Sequence, residues 1–133
     1  MINKEIISIA SKTSNVGLNN KYSHKITIKN NLCGDKITLE LTVRKKKIQS
    51  MRYVTESCIY CEASASLLSK KIKKFNIQTI KSDFINLKKI SKKKNIKIPD
   101  KFADFNKLFN SDNLNRFNCL FLPFDAVIKA LKL

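Results

Sequence analysis

Lys36-Ile37-Thr38-Leu39-Glu40-Leu41-Thr42-Val43 alternates apolar and polar residues along its whole length. Ile37, Leu39, Leu41 and Val43 point one way, and Thr38, Glu40 and Thr42 point the other. A period of two predicts a strand with one face in a core and the other toward water. Upstream, residues 23–30 alternate as well, with Ile26 and Ile28 on one side. Downstream, a basic turn over residues 44–47 leads into a third strand carrying Met51 and Tyr53 on one face. Connections this short predict an antiparallel three-stranded meander.

After Cys58 the period changes. Cys61, Ala65, Leu68, Ile72 and Phe75 recur at spacings of four and three, the apolar stripe of an amphipathic helix. Ser57 is its expected N-cap, because a hydroxyl there accepts from free amides of the first turn. A second, weaker helix is expected over residues 82–90. Asp100 is expected to cap a third, with Phe102, Phe105 and Phe109 inward. Pro123 fits the first turn of a last helix, where its missing N–H costs nothing, with Phe124, Val127 (or Ile128) and Leu131 as the stripe. A short helix over residues 6–10 is expected to end near Gly17. Strands first and helices afterwards predict an α+β fold: a three-stranded antiparallel sheet, helices packed on one face, and a C-terminal helix.

The 133 residues are expected to form one domain, 1–133, large enough to bury about two-thirds of the unfolded surface without disulfides. With 2 Gly and 2 Pro there is no linker composition. The first residues lack the pattern of a secretory leader. No apolar run nears the roughly 20 residues that span a bilayer, so no membrane partner is expected. A reducing, cytoplasmic setting is the default expectation, and there clustered cysteines bind metal or do redox work.

The formal net charge is +17, and of 27 basic residues only Arg44, Arg52 and Arg116 are arginine. Such a field attracts anionic partners. It raises the reading of a basic nucleic-acid-binding module with structural cysteines. That chemistry favours arginine interleaved with aromatics for bidentate contacts and base stacking, which this chain lacks. A solvated lysine coat is the better account, and Lys70, Lys71, Lys73 and Lys74 read as the outer face of a helix.

Three cysteines stand in three contexts: Cys33 in the turn Cys33-Gly34-Asp35, Cys58 opening a helix, and Cys119 just before the last helix. One thiolate from each of three loops, with a carboxylate two residues from the first, is how a fold gathers a metal or cluster site. Gly34 permits a tight backbone path, and Asp35 projects near the Cys33 sulfur. The helix N-terminus favours thiolate at Cys58. Arg116, three residues before Cys119, is a candidate to lie over the site and stabilise thiolates. Taken singly, each has a plainer account: Cys119 a small hydrophobe, Asp35 a turn residue, Arg116 a surface cation. Cys61 falls on the apolar stripe and is read as packing, against the alternative that Cys58 and Cys61 form a Cys-x-x-Cys redox or metal pair. His24, the one histidine, lies in a strand and is not expected to be a ligand.

Three stretches together resemble the iron–sulfur cluster assembly scaffolds of the IscU/SufU/NifU N-terminal family. Leu32-Cys33-Gly34-Asp35-Lys36-Ile37-Thr38-Leu39 is similar to its first ligand turn. Cys58-Ile59-Tyr60-Cys61-Glu62-Ala63-Ser64-Ala65-Ser66 is similar to its cysteine followed by an Ala-Ser-Ala-Ser helix. Arg116-Phe117-Asn118-Cys119-Leu120-Phe121-Leu122-Pro123-Phe124 is similar to its third ligand segment, and the arginine resembles the SufU side of the family. The resemblance implies that Cys33, Cys58 and Cys119 bind a two-iron two-sulfur cluster, with Asp35 as a nearby or fourth ligand. It implies a cysteine desulfurase as sulfur source and apo iron–sulfur proteins as acceptors, with no enzymatic turnover by the scaffold itself. A second implied reading is a zinc-bound sulfur-transfer protein using the same four residues around a tetrahedral ion. Which cysteine accepts persulfide, Cys58 or Cys119, stays open.

Overall fold

The computed structural model describes residues 4–91 and 98–133. Its sheet is built from β1 (His24–Lys29), β2 (Lys36–Arg44) and β3 (Lys47–Glu56), antiparallel in the order β1-β2-β3. Helix α1 (Lys4–Ala10) precedes it; α2 (Ile59–Lys71), α3 (Ile80–Ser91) and α4 (Phe117–Ala130) follow. Short 3₁₀ turns lie at Ile72–Lys74, Asp100–Phe105 and Ser111–Arg116. The α+β expectation and the meander both hold.

The alternation in β2 does what period two requires. Ile37, Leu39 and Leu41 are fully buried, and Leu39 sits between Ile26 and Tyr53 in register. Helix α4 packs over β1 and β2, α2 packs on β3 and α4, and α1 packs on α2. In β3 the register shifts: Thr42 pairs with Ser50 while Val43 pairs with Ile48. The extra residue, Gln49, is a bulge that lets Ile48 and Met51 both face the core despite their odd spacing. The β2–β3 turn places Lys45 and Lys46 both at positive φ (51° and 62°), the backbone of a tight hairpin turn that normally takes Asn-Gly.

Three expectations about surfaces and ends are corrected. Glu40, expected toward water, is 2% exposed. Its Oε1 accepts from the Asn19 and Asn20 amides at 2.9 and 3.3 Å, and Lys25 Nζ lies 3.6 Å from Oε2. The chain pairs with the edge of β3 at Val16 and then brings Asn19 and Asn20 over that face of the sheet, which periodicity within β2 could not reveal. Helix α1 ends at Ala10, well before Gly17. Gly17, at φ +100°, instead donates its amide to the Tyr53 carbonyl (2.8 Å), while Arg52 donates to the Val16 and Gly17 carbonyls at 2.8 Å each. Phe102 and Phe105 are inward as expected, but on a 3₁₀ turn whose N-cap is Pro99 rather than Asp100.

The last helix begins six residues earlier than expected, at Phe117, with Arg116 as N-cap and Pro123 inside. Its residues Cys119 to Phe124 are all buried, so the helix is apolar nearly all round and shows no clean stripe to mark its start. Cys119 therefore lies within the first turn of α4, not before it. Its rings interlock with the neighbours: Phe124 lies 4.8 Å from Phe84, 5.5 Å from Phe105 and 5.6 Å from Phe109, all edge-on. Each such pair adds about 0.5–1.5 kcal/mol beyond burial. Among the described residues no helix is long and apolar enough to cross a membrane.

Candidate metal centre

The β1–β2 connection folds back on itself through short backbone bonds. The Gly34 amide donates to the Asn30 carbonyl and the Asn30 amide to the Asp35 carbonyl, both at 2.7 Å. Gly34 sits at φ +75° with open space where a side chain would stand, so it is the conformation that calls for glycine. The loop presents Cys33 to solvent while turning Asp35 inward to 5% exposure. Asn30 Nδ2 also donates to the Asn118 carbonyl at 3.2 Å, tying this loop to the first turn of α4. From the other side, the Ser64 hydroxyl of α2 donates to the Leu120 carbonyl. Two side chains thus lock the Cys119 turn against both other cysteine-bearing segments.

Three of the four candidate residues meet, and Cys58 stands beside them. Cys33 Sγ, an Asp35 carboxylate oxygen and Cys119 Sγ all lie within 4.8 Å of one another. Cys58 joins through Asp35, whose Oδ2 accepts from the thiol at 3.2 Å and whose Oδ1 accepts from the Cys58 amide at 3.1 Å. Cys33, Cys58 and Asp35 all lie close enough to Cys119 to act on its thiol. Sulfurs on one tetrahedral zinc sit about 3.8 Å apart, given Zn–S of about 2.3 Å, and the Cys33 and Cys119 sulfurs lie within 4.8 Å of each other. All four cysteines of the chain are free thiols.

Protonation departs from what the helix N-terminus alone suggests. Burial pushes the Cys58 thiol above its ordinary value; the Cys61 amide pulls it down, and the hydrogen bond to Asp35 pushes it up again. The net is a held proton rather than a ready thiolate, because the field of a helix end is outweighed by desolvation and an adjacent carboxylate. Cys119 is raised as well, by burial first and then by its contacts with Cys33, Cys58 and Asp35. Cys61 is pushed up to about 12, by burial first; Ser57 pulls it down, and the charges of Asp35, Cys58 and Cys33 push it up again. A metal entering this cradle has to displace protons.

The flanking residues fall less closely to expectation. Cys58 itself is the N-cap of α2, with extended backbone and no side-chain capping bond. Ser57 stands one residue before it and donates its hydroxyl to the Cys58 carbonyl at 3.2 Å. The cap moves because Asp35 claims the Cys58 amide and fixes where the helix opens. The Arg116 guanidinium rests on the Tyr60 ring, 5.3 Å from the centroid. That cation–π contact joins the openings of α2 and α4. Cys61 is fully buried on the α2 stripe, and His24, starting β1, pairs with the Ser23 hydroxyl at 2.8 Å. Asn30, Ser64 and Tyr60 position the site yet were not singled out. Asn30 carried a signal, an Asx residue opening a turn before Gly; Ser64 and Tyr60 carried none outside the folded chain. A cavity of about 650 Å³ adjoins the site, walled by Ile28, Lys29, Leu32, Phe117 and Phe121 among others.

A family model described as the NifU-like N terminal domain matches residues 1–108. Among solved structures, the N-terminal part of a nitrogen-fixing NifU-like protein from Brucella abortus is similar, with a TM-score of 0.83 and 21% identity. The match covers 98% of this chain and 91% of that one. A protein from Fervidobacterium islandicum AW-1, described as an iron–sulfur cluster assembly scaffold for the SUF system, has a TM-score of 0.85 and 20% identity. There the coverage is 98% of this chain and 96% of the other. No curated protein matches the chain. At these identities the structural likeness is one of fold.

Proposed function

The chain belongs to the NifU-like N-terminal domain family, and from that premise we propose that it is a scaffold on which an iron–sulfur cluster is assembled and then passed to apo-proteins. The observation that carries this is the convergence of Cys33, Asp35 and Cys119 within 4.8 Å, with Cys58 bonded to the same carboxylate. The family match ends at residue 108, so the part given to Cys119 rests on this geometry. Residues 1–133 act as one unit, since α4, which carries Cys119, packs on β1, β2 and α2.

The donor set fits such a cargo. Iron and sulfide are held by soft thiolates, and stable clusters take four of them. Here the ligands are Cys33, Cys58 and Cys119, with Asp35 as the fourth. A hard carboxylate oxygen on a soft-ligand centre binds less firmly, which suits a two-iron two-sulfur cluster meant to leave by ligand exchange. Gly34 sets the loop, and Arg116 clamps the flanking helix ends. The protein is a carrier with no turnover chemistry of its own. Sulfur arrives as persulfide from a cysteine desulfurase, and the acceptors are apo iron–sulfur proteins. The charge of +17 speeds encounter with acidic faces of such partners. A cytoplasmic, reducing setting keeps the thiols free.

A second reading has one observation in its favour: three sulfurs and one oxygen are also a four-coordinate zinc set. In that case the chain relays sulfur, with one thiolate leaving the metal to accept it. Anaerobic reconstitution with iron and sulfide separates the two. A coloured protein carrying iron and acid-labile sulfide supports the scaffold. One equivalent of zinc after purification, with no coloured species on reconstitution, overturns it in favour of transfer.

A further inference from the structure

Cys61 is the one nucleophilic side chain at the site that the scaffold leaves without a task. Its position is specific. Cys58 is the N-cap of α2 and Cys61 is the third residue of that helix. These two positions are the pair whose side chains meet at a helix start: the N-cap side chain reaches toward the third residue's amide, and the third residue's side chain reaches back. The Cys61 amide does face the Cys58 sulfur and acts on it. The Cα atoms of residues three apart on a helix stand about 5 Å from each other, inside the Cα window that a disulfide bridges once the side chains turn toward each other. Cys58 is half-buried and can be reached from outside; Cys61 has no exposed surface. A thiol so enclosed is closed to sulfur from solution, and Cys58 is the cysteine that shares its helix opening.

We infer that Cys61 is a resolving thiol: it attacks a persulfide carried on Cys58 and releases the outer sulfur as sulfide, leaving a Cys58–Cys61 disulfide. The Cys61 sulfur forms a bond to the Cys58 sulfur, and the bond from Cys58 to the outer sulfur breaks. The outer sulfur, at oxidation state zero in the persulfide, takes both electrons of that bond and leaves as hydrosulfide. The two cysteine sulfurs supply those electrons and end as a disulfide. Burial keeps the Cys61 thiol protonated, so its proton passes to the departing sulfur as the new S–S bond forms, and one persulfide and one thiol give one disulfide and one H₂S. No outside reductant enters this step; a dithiol reductant restores the pair for the next round by exchange. The remaining donors, Cys33, Asp35 and Cys119, are the trio that lie within 4.8 Å without Cys58. Sulfide is therefore produced beside three ligands free to hold iron. This inference rests on the scaffold reading for its purpose, though its chemistry runs on the metal-free protein.

The test uses the full chain, reduced, stripped of metal and reductant, under anaerobic conditions. It is loaded with inorganic polysulfide and desalted; sulfide release is then followed, and cysteine linkages are mapped by mass spectrometry without reduction. Cys58 and Cys61 fall in one tryptic peptide, residues 53–70, so their link reads as the loss of two hydrogens from that peptide. The wild-type chain is expected to release its persulfide sulfur as sulfide and gain this link. Cys61→Ser is expected to retain persulfide on Cys58 and to release sulfide at least tenfold more slowly, and Cys61→Ala to match it. Equal release by both variants overturns the inference. So does a wild-type disulfide joining Cys58 to Cys33 or Cys119, or persulfide that never forms on Cys58. The wild-type mapping stands even if a variant misfolds. Failure of the scaffold reading shows elsewhere, as absence of colour on reconstitution with iron and inorganic sulfide.

Discussion

Asp35 grips Cys58 twice, one carboxylate oxygen on the backbone amide at 3.1 Å and the other on the thiol at 3.2 Å. One side chain therefore does two jobs that are usually separate. It decides where α2 opens, by taking an amide that the helix cannot satisfy internally, and it stands among the candidate ligands. Substitutions at this position have to be read on both scales.

Asp35→Ala is expected to lengthen the life of a bound cluster, because the oxygen that eases exchange is gone. The same change leaves the Cys58 amide without its acceptor and costs about 1 kcal/mol in urea unfolding, water replacing part of the bond. Asp35→Asn keeps an acceptor oxygen and is expected to recover most of that stability without restoring fast transfer. Transfer to an apo-acceptor that is unchanged or faster in Asp35→Ala rejects the exchange role.

Cys33→Ala, Cys58→Ala and Cys119→Ala are each expected to abolish stable loading from iron and inorganic sulfide. Cys61→Ser is expected to load normally in that assay, since inorganic sulfide needs no reduction. Visible absorbance with iron and sulfide analysis reads both outcomes. An equal loss in Cys61→Ser would place that sulfur among the ligands.

Burial holds the Cys61 thiol at about 12 in the folded chain, against about 8.5 for a free cysteine. As pH rises past the lower value the unfolded chain gives up this proton and the folded chain does not. The folded state then binds more protons, so its stability falls with rising pH. Lysines titrating near the upper end relieve repulsion and act the other way, so the comparison is with Cys61→Ala. Denaturant unfolding is expected to show the wild type losing stability relative to that variant between about pH 8 and pH 10. A gap constant over that range would show that the thiol is not held protonated by folding.

Lys45 and Lys46 carry the β2–β3 turn in left-handed conformations that lysine adopts at a cost. Replacing them with Asn and Gly, Lys45→Asn with Lys46→Gly, is expected to stabilise the chain by about 1 kcal/mol. The site lies at the opposite end of these strands, so cluster loading is expected to stay the same. A neutral or destabilising result by thermal unfolding would mean the turn is not strained.

How far the chain could be read in advance follows from where each signal lives. Ile37, Leu39 and Leu41 announce β2 because strand period is local, and the α2 stripe from Cys61 to Phe75 is local too. The four candidate ligands were legible as residue types in telling contexts, Cys33 beside Gly34 and Asp35 above all. Their meeting is tertiary and was available only through family likeness. Pro123 misled because a helix buried all round offers no polar face to date its beginning. Ser57 looked like the cap because its hydroxyl suits one, but the cap was decided by Asp35 from another loop. Glu40 looked solvent-facing because Asn19 and Asn20, which meet it, bear no pattern that says so. The Cys58 proton was misjudged for the same reason: a helix end is visible in sequence, and desolvation is not.

Pro123 carries no amide hydrogen, and in α4 the carbonyl it would have served belongs to Cys119. The opening turn of that helix thereby has one rung fewer behind it, at the residue that bears the third sulfur, and is fastened from the sides by Asn30 and Ser64. Phe124 and Val127 stay anchored in the core. The rim of the vessel is therefore pinned by its neighbours, and a change in either pin reaches the third sulfur before it reaches the wall.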